Sequence, residues 1–93
     1  MQWVRLEDLV PTEDLSTKDF DEVEEMRQQM DRAGEWPEKM PFVSVTPDGG
    51  KFLVLDGHHR CLAAQAAGIK RIPVLIFFDE SHYEGFRDLK AAS

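Results

Sequence analysis

The chain is expected to fold as an α/β protein of the α+β kind, a compact mixed sheet with helices packed against it in the order β-α-β-β-α-β-α. Three observations predict this. Short runs rich in β-branched and aromatic residues alternate with segments whose apolar residues recur every three to four positions. Pro47-Asp48-Gly49-Gly50 joins two of those runs as a hairpin turn, its glycines supplying the positive φ angles that such turns require. Ile72 to Phe78 is almost wholly apolar and comes after a helix and a glycine stop, which marks a buried central strand.

Trp3-Val4-Arg5-Leu6 reads as a short opening strand, and Pro11-Thr12-Glu13-Asp14 as a turn-rich loop that interrupts regular structure. In the first helix Phe20, Val23, Met26 or Arg27, Met30 and Ala33 share one face, while Asp21, Glu22, Glu24, Glu25 and Asp31 take the others. Ser16 or Asp19 can cap its start, and Gly34 can end it in the left-handed conformation. Met26 and Met30 read as core filler. Glu35 to Pro41, with two prolines, is a connection; Phe42–Thr46 and Lys51–Leu55 are the hairpin strands. The alanine-rich stretch from His58 to Ala67 favours a helix, with Gly68 as its stop. A last helix is expected from Ser81 to Lys90. Trp3 is expected in the core, and Trp36 and Tyr83 in the core or at an interface.

A chain of 93 residues has room for one core, so residues 1–93 read as a single domain. The longest apolar run is too short to span a bilayer, and no basic region followed by an apolar run opens the chain. A cytoplasmic location without a membrane partner is therefore expected. A single cysteine, Cys61, excludes an internal disulfide. The net charge of −7 arises entirely in residues 1–35, where eleven acids face four bases; the remainder balances seven against seven. Without a lysine and arginine stripe, duplex DNA binding by this chain alone is not expected.

Chemistry is expected where Leu53-Val54-Leu55 runs through Asp56-Gly57 into the alanine-rich helix. A helix start offers unpaired N–H groups and partial positive charge, and a glycine there lets an anion come close. Gly57, His58, His59 and Arg60 are the candidate phosphate-binding residues, Arg60 through its forked guanidinium and the histidines as added donors. Asp56 has two open readings: it caps the helix, or it contacts a magnesium ion that arrives with a nucleotide. Zinc fits poorly, because neighbouring helical side chains point about 100° apart and no zinc-ligand spacing is present. The plain alternative for the segment is a capped helix with exposed imidazoles.

Taken in order, Leu9-Val10-Pro11-Thr12-Glu13, a glycine-terminated amphipathic helix, Pro41-Phe42-Val43-Ser44-Val45, Leu55-Asp56-Gly57-His58-His59-Arg60-Cys61-Leu62-Ala63-Ala64 and Gly68-Ile69-Lys70-Arg71-Ile72-Pro73-Val74 resemble the ParB/sulfiredoxin superfamily. The resemblance covers residues 3–78 and implies a nucleotide site at Asp56–Arg60. Sulfiredoxins carry their catalytic cysteine immediately before the His-Arg pair, where this chain has His58, which argues against that activity. Partition proteins carry a Glu-Arg-Arg version and further domains. The Asp-Gly-His-His-Arg form looks closest to the branch containing free serine kinases, which are longer. In that branch an acidic residue of the N-terminal loop is the base, and Glu13 matches it, with Asp14 the second choice.

The resemblance thus implies Glu13, Asp56 and His59 as catalytic residues and ATP, ADP or another nucleotide with magnesium as cofactor. The expected activity is phosphotransfer to a small hydroxyl substrate, or nucleotide hydrolysis. Two readings from other classes stand beside it: a nucleotide-binding or protein-partner-binding module without catalysis, and a ParB-like nuclease.

Overall fold

A computed structural model of the chain describes residues 1–78; the helix expected at Ser81–Lys90 and Tyr83 lie outside the described residues. Five strands form one sheet in the order β1-β5-β3-β4-β2, where β1 is Gln2–Arg5, β2 Leu9–Val10, β3 Val43–Asp48, β4 Lys51–Asp56 and β5 Arg71–Ile76. The sheet is mixed, as expected. β1 runs antiparallel to β5, β3 parallel to β5, β4 antiparallel to β3, and β2 parallel to β4. Two helices, α1 (Phe20–Ala33) and α2 (His58–Ala66), pack against each other, and α2 also meets β3.

Both ends of α1 are set by single residues. The Asp19 carboxylate accepts hydrogen bonds from the N–H groups of Asp21 and Glu22, and Gly34 takes φ +71° to end the helix. Met30 is buried in the core and Met26 packs against it. The hairpin closes more tightly than the four-residue turn read from the sequence: β3 runs on to Asp48, and Gly49 and Gly50 alone turn the chain, both at positive φ.

Val43, Val45, Val54, Ile72 and Val74 are fully or almost fully buried. Each contributes about 1.5–3 kcal/mol by leaving water. β5 has the buried character expected of it, although it ends at Ile76 and Leu75 is partly exposed. The connection after α1 does more than connect, since Trp36 and Met40 are buried and the indole Nε1–H donates to the Met40 carbonyl at 3.2 Å. Trp3 corrects its expectation: it is 51% exposed. β1 is an edge strand whose inward position is taken by Val4, and strand alternation sends Trp3 to the other face.

One irregularity positions the site. Ser44 pairs with Asp56 and Val45 with Val54, so Leu55 is an extra residue in β4. Such a bulge bends the strand and redirects the chain beyond it. Here the redirected segment is Asp56-Gly57 and the start of α2.

Candidate functional site

The α2 N-terminus is left open. Its cap position is Gly57 at φ +113°, with no side-chain cap bond, and the first helical bond runs from the Cys61 N–H to the Gly57 carbonyl at 2.9 Å. The N–H groups of His58, His59 and Arg60 therefore precede any intrahelical acceptor. Capping by Asp56, one of its two expected roles, does not occur. Gly57 stands between Asp56 and the helix and turns the chain, and the Asp56 carboxylate instead lies 3.6 Å from the Arg60 guanidinium, 64% exposed.

Gly57 serves Arg60. A Cβ at position 57 would stand 3.0 Å from Arg60 Nη2 and 3.2 Å from Arg60 Nε, and 3.0 Å from a Val43 methyl. The guanidinium thus folds over the glycine backbone, with Nη2 3.5 Å from the Phe42 carbonyl oxygen. Arg60 Nε is buried without a hydrogen-bond partner. A cationic donor left in that state beside an open helix start is suited to an anion.

The Pro11–Asp14 loop comes back onto this helix start. The Thr12 hydroxyl donates to the Val54 carbonyl at 2.6 Å, and the Thr12 backbone N–H donates to His58 Nε2 at 3.1 Å. A backbone N–H can only donate, so Nε2 carries no proton and the imidazole proton sits on Nδ1. Nδ1 lies 2.7 Å from Glu13 Oε2 and donates to it. The His58 side chain is 3% exposed, and burial holds its pKa below the ordinary value of 6.5, which agrees with a neutral ring. Both ring nitrogens of His58 are thereby engaged within the chain.

Glu13 is held from two sides. Lys18 Nζ lies 3.0 Å from Oε1, and this hydrogen-bonded contact keeps the carboxyl below its ordinary range. His59 faces the start of α1: its Nε2 lies 3.4 Å from the Asp19 nitrogen, whose N–H donates to it, and 3.6 Å from the Glu22 carboxylate. A cavity of about 290 Å³ brings together Glu13, Asp56, Gly57, His58, His59 and Arg60. Lys18, Glu22 and Met26 line it too and were missed. The available signal was slight: Lys18 is the only base between Glu13 and Glu25. Asp14, the second choice for the base, caps the short turn at 15–17 through Ser16, which lowers its pKa.

His58 also forms part of the wall of a larger, more apolar cavity of about 760 Å³ beside Leu6, Leu9, Pro11, Leu15 and Leu62. Cys61 faces this cavity, and burial pushes its thiol up to about 12. Such a thiol is not a nucleophile near neutral pH. Among the described residues no group of three or more His, Cys, Asp or Glu side chains could hold a metal ion, and no helix is long and apolar enough to cross a membrane.

Known proteins share the fold of this chain to different extents. No family model matches the chain. Over 46 residues, 45% of its length, it is 48% identical to the ATP-dependent L-serine kinase of Staphylothermus marinus, of which it spans 18%. Sulfiredoxin from Arabidopsis thaliana superposes over 85% of this chain and 88% of its own, at a TM-score of 0.66 and 21% identity. The chain has the ParB/sulfiredoxin fold. ParB from Caulobacter crescentus, complexed with CTP-γ-S, shares that fold at TM-score 0.66 and 22% identity, over 84% of this chain and 44% of the other. A free serine kinase in complex with AMP does so at TM-score 0.66 and 24% identity, over 82% of this chain and 30% of the kinase.

Proposed function

We propose that this chain acts as one ParB/sulfiredoxin-like domain that binds a nucleotide at the α2 N-terminus and transfers its terminal phosphoryl group to a small hydroxyl compound or to water. The observation that carries the reading is the return of the Glu13 carboxylate, from a loop over forty residues away in sequence, to the cavity that holds the open helix start and the unpartnered Arg60 Nε. Likeness to a curated L-serine kinase over a short segment, and to a serine kinase solved with AMP, supports it.

In this reading the first N–H groups of α2, Arg60 and a rotated His59 hold the phosphates, and the apolar cavity behind His58 accepts the nucleoside. Glu13 takes the proton of the attacking hydroxyl; the oxygen bonds to the terminal phosphorus, the bond to the bridging oxygen breaks, and the nucleotide, shortened by one phosphate, leaves with those electrons. His58, through Nδ1–H, positions Glu13. Magnesium fits as an ion carried by the phosphates with Asp56 as its one protein ligand, where it would offset charge on the transferring group.

Calorimetric titration with ATP and ADP, with and without magnesium, followed by a search for phosphorylated product among small hydroxyl compounds, tests the proposal. Binding is expected with magnesium, and Arg60→Ala should weaken it by about 1.5–3 kcal/mol while circular dichroism stays that of the parent. Equal affinity in a folded Arg60→Ala chain would remove this site. Binding without product would favour the second reading, a non-catalytic module, which the full engagement of Glu13 by Lys18 and His58 also suits.

A further inference from the structure

Lys18 has no role in that phosphotransfer mechanism, yet it is the most enclosed charged group of the cavity. Its side chain is only 12% exposed, its Nζ lies 3.0 Å from Glu13 Oε1, and it lines the same 290 Å³ space as Gly57 and Arg60. Lysines are rarely buried to this degree unless paired, and here the partner is a carboxylate that is itself 55% exposed.

The charge balance of the cavity gives the lysine a purpose. Three carboxylates line it, Glu13, Glu22 and Asp56, against two permanent cations, Lys18 and Arg60. His58 is neutral by its hydrogen bonds. A space in which carboxylates outnumber permanent cations admits a polyphosphate only if those cations turn toward the phosphate oxygens and away from the carboxylates. Arg60 folds over Gly57, so its guanidinium already stands at the helix start. Lys18 is a compact charge on a flexible stem with three donors, able to leave one acceptor for another.

Resting on the nucleotide reading, we infer that Lys18 is a second phosphate-binding cation, parked on Glu13 in the free protein and drawn onto the phosphate when the ligand enters. The exchange has a consequence for Glu13. With phosphate absent, Oε1 is occupied by an ammonium; with phosphate bound, Oε1 is free to accept a proton while His58 still holds Oε2. The carboxylate becomes available only when there is a phosphoryl group to transfer.

The test uses the full chain with magnesium and two probes, pyrophosphate and ADP, on the parent, Lys18→Met and Lys18→Arg. Lys18→Met should bind both probes about 10- to 100-fold more weakly, with a shallower dependence of affinity on salt. Lys18→Arg should keep most of the affinity, because the charge and not the packing is what matters. If product forms, Lys18→Met should also move the acid limb of the pH profile of kcat/KM upward, since Glu13 of the free protein loses the cation that lowers its pKa. Unchanged affinity for both probes in a folded Lys18→Met chain, with the parent binding normally, would overturn this inference and leave the nucleotide site standing. So would an equal loss in Lys18→Arg. A parent that binds neither probe overturns the nucleotide reading itself, and this inference with it.

Discussion

The two helices of this chain begin in opposite ways. At α1 the Asp19 side chain occupies two of the free N–H groups, so the helix start is sealed by the chain itself. At α2 the cap is a buried glycine with no side chain to offer, and the N–H groups remain open beside an arginine whose Nε has no partner. A sealed start is architecture. An open one, kept open by a glycine whose positive φ and close contacts a side chain would strain, is a place for a ligand. The sealed start also borders the open one, for His59 reaches the Asp19 N–H and Glu22 from the other helix.

The largest effect expected at the open start is on catalysis. Glu13→Gln keeps the size and much of the hydrogen bonding of the side chain but removes the base, so turnover should fall by about 10²–10⁴ while nucleotide affinity changes little. Steady-state product formation beside a binding isotherm measures both. Turnover that survives in Glu13→Gln and also in Asp14→Asn would leave the open start without a base.

Next in size is Gly57→Val. A side chain there meets the Arg60 guanidinium and Val43 and must hold φ near +113°, a conformation β-branched residues avoid. Stability should drop by about 2–4 kcal/mol and binding should be lost with Arg60 displaced. Gly49→Ala in the hairpin turn faces open space at φ +55° and should cost about 1 kcal/mol without touching binding. Chemical denaturation with calorimetry separates the two, and a Gly57→Val chain that binds like the parent would make the glycine incidental.

How far these starts are legible in the sequence depends on how local their determinants are. α1 is readable because its cap, its apolar period and its terminal Gly34 lie within one contiguous segment. The strand–glycine–helix junction at Asp56–Arg60 is readable for the same reason. The roles of the residues there are less so. Asp56 stands open as a cap because the sequence does not show that Gly57 takes that position. His58 reads as a ligand donor, whereas its two nitrogens are committed to Thr12 and Glu13 by contacts spanning about forty-five residues. Lys18 and Glu22 enter the cavity from around the start of α1, where their charges look like part of a solvated acidic run. β2, two residues long, is too short to display alternation, and the exposure of Trp3 is hidden because the sequence does not mark β1 as an edge.

At the sealed start the expected loss is smaller and of another kind. Asp19→Ala removes the cap and should lower the unfolding free energy by about 1 kcal/mol. Nucleotide affinity should stay within about twofold of the parent, as an effect of a few tenths of a kcal/mol allows. A binding loss as large as that of Arg60→Ala would show that both starts form the ligand site, and the contrast between them would dissolve.

The finest adjustment is by pH. His58 is neutral in the folded chain because the Thr12 N–H occupies Nε2 and burial disfavours the charged ring, so its folded pKa lies below 6.5. In the unfolded chain the ring regains that ordinary value and takes up a proton first as pH falls. The contribution to stability is therefore complete above 6.5, declines as pH drops below it, and is gone beneath the folded pKa. Glu13, Asp14 and Glu24, whose pKa values are lowered, act further down, below their ordinary values of 4.5, 3.8 and 4.5. Protonating Nε2 also ejects the Thr12 N–H, so the loop that carries Glu13 should loosen and nucleotide binding should weaken over the same range. Imidazole proton signals tracked by nuclear magnetic resonance give the folded pKa directly. A His58 ring that titrates at 6.5 or above would mean that the Thr12 contact does not hold the ring neutral, and the open start would lose the element that aims its carboxylate.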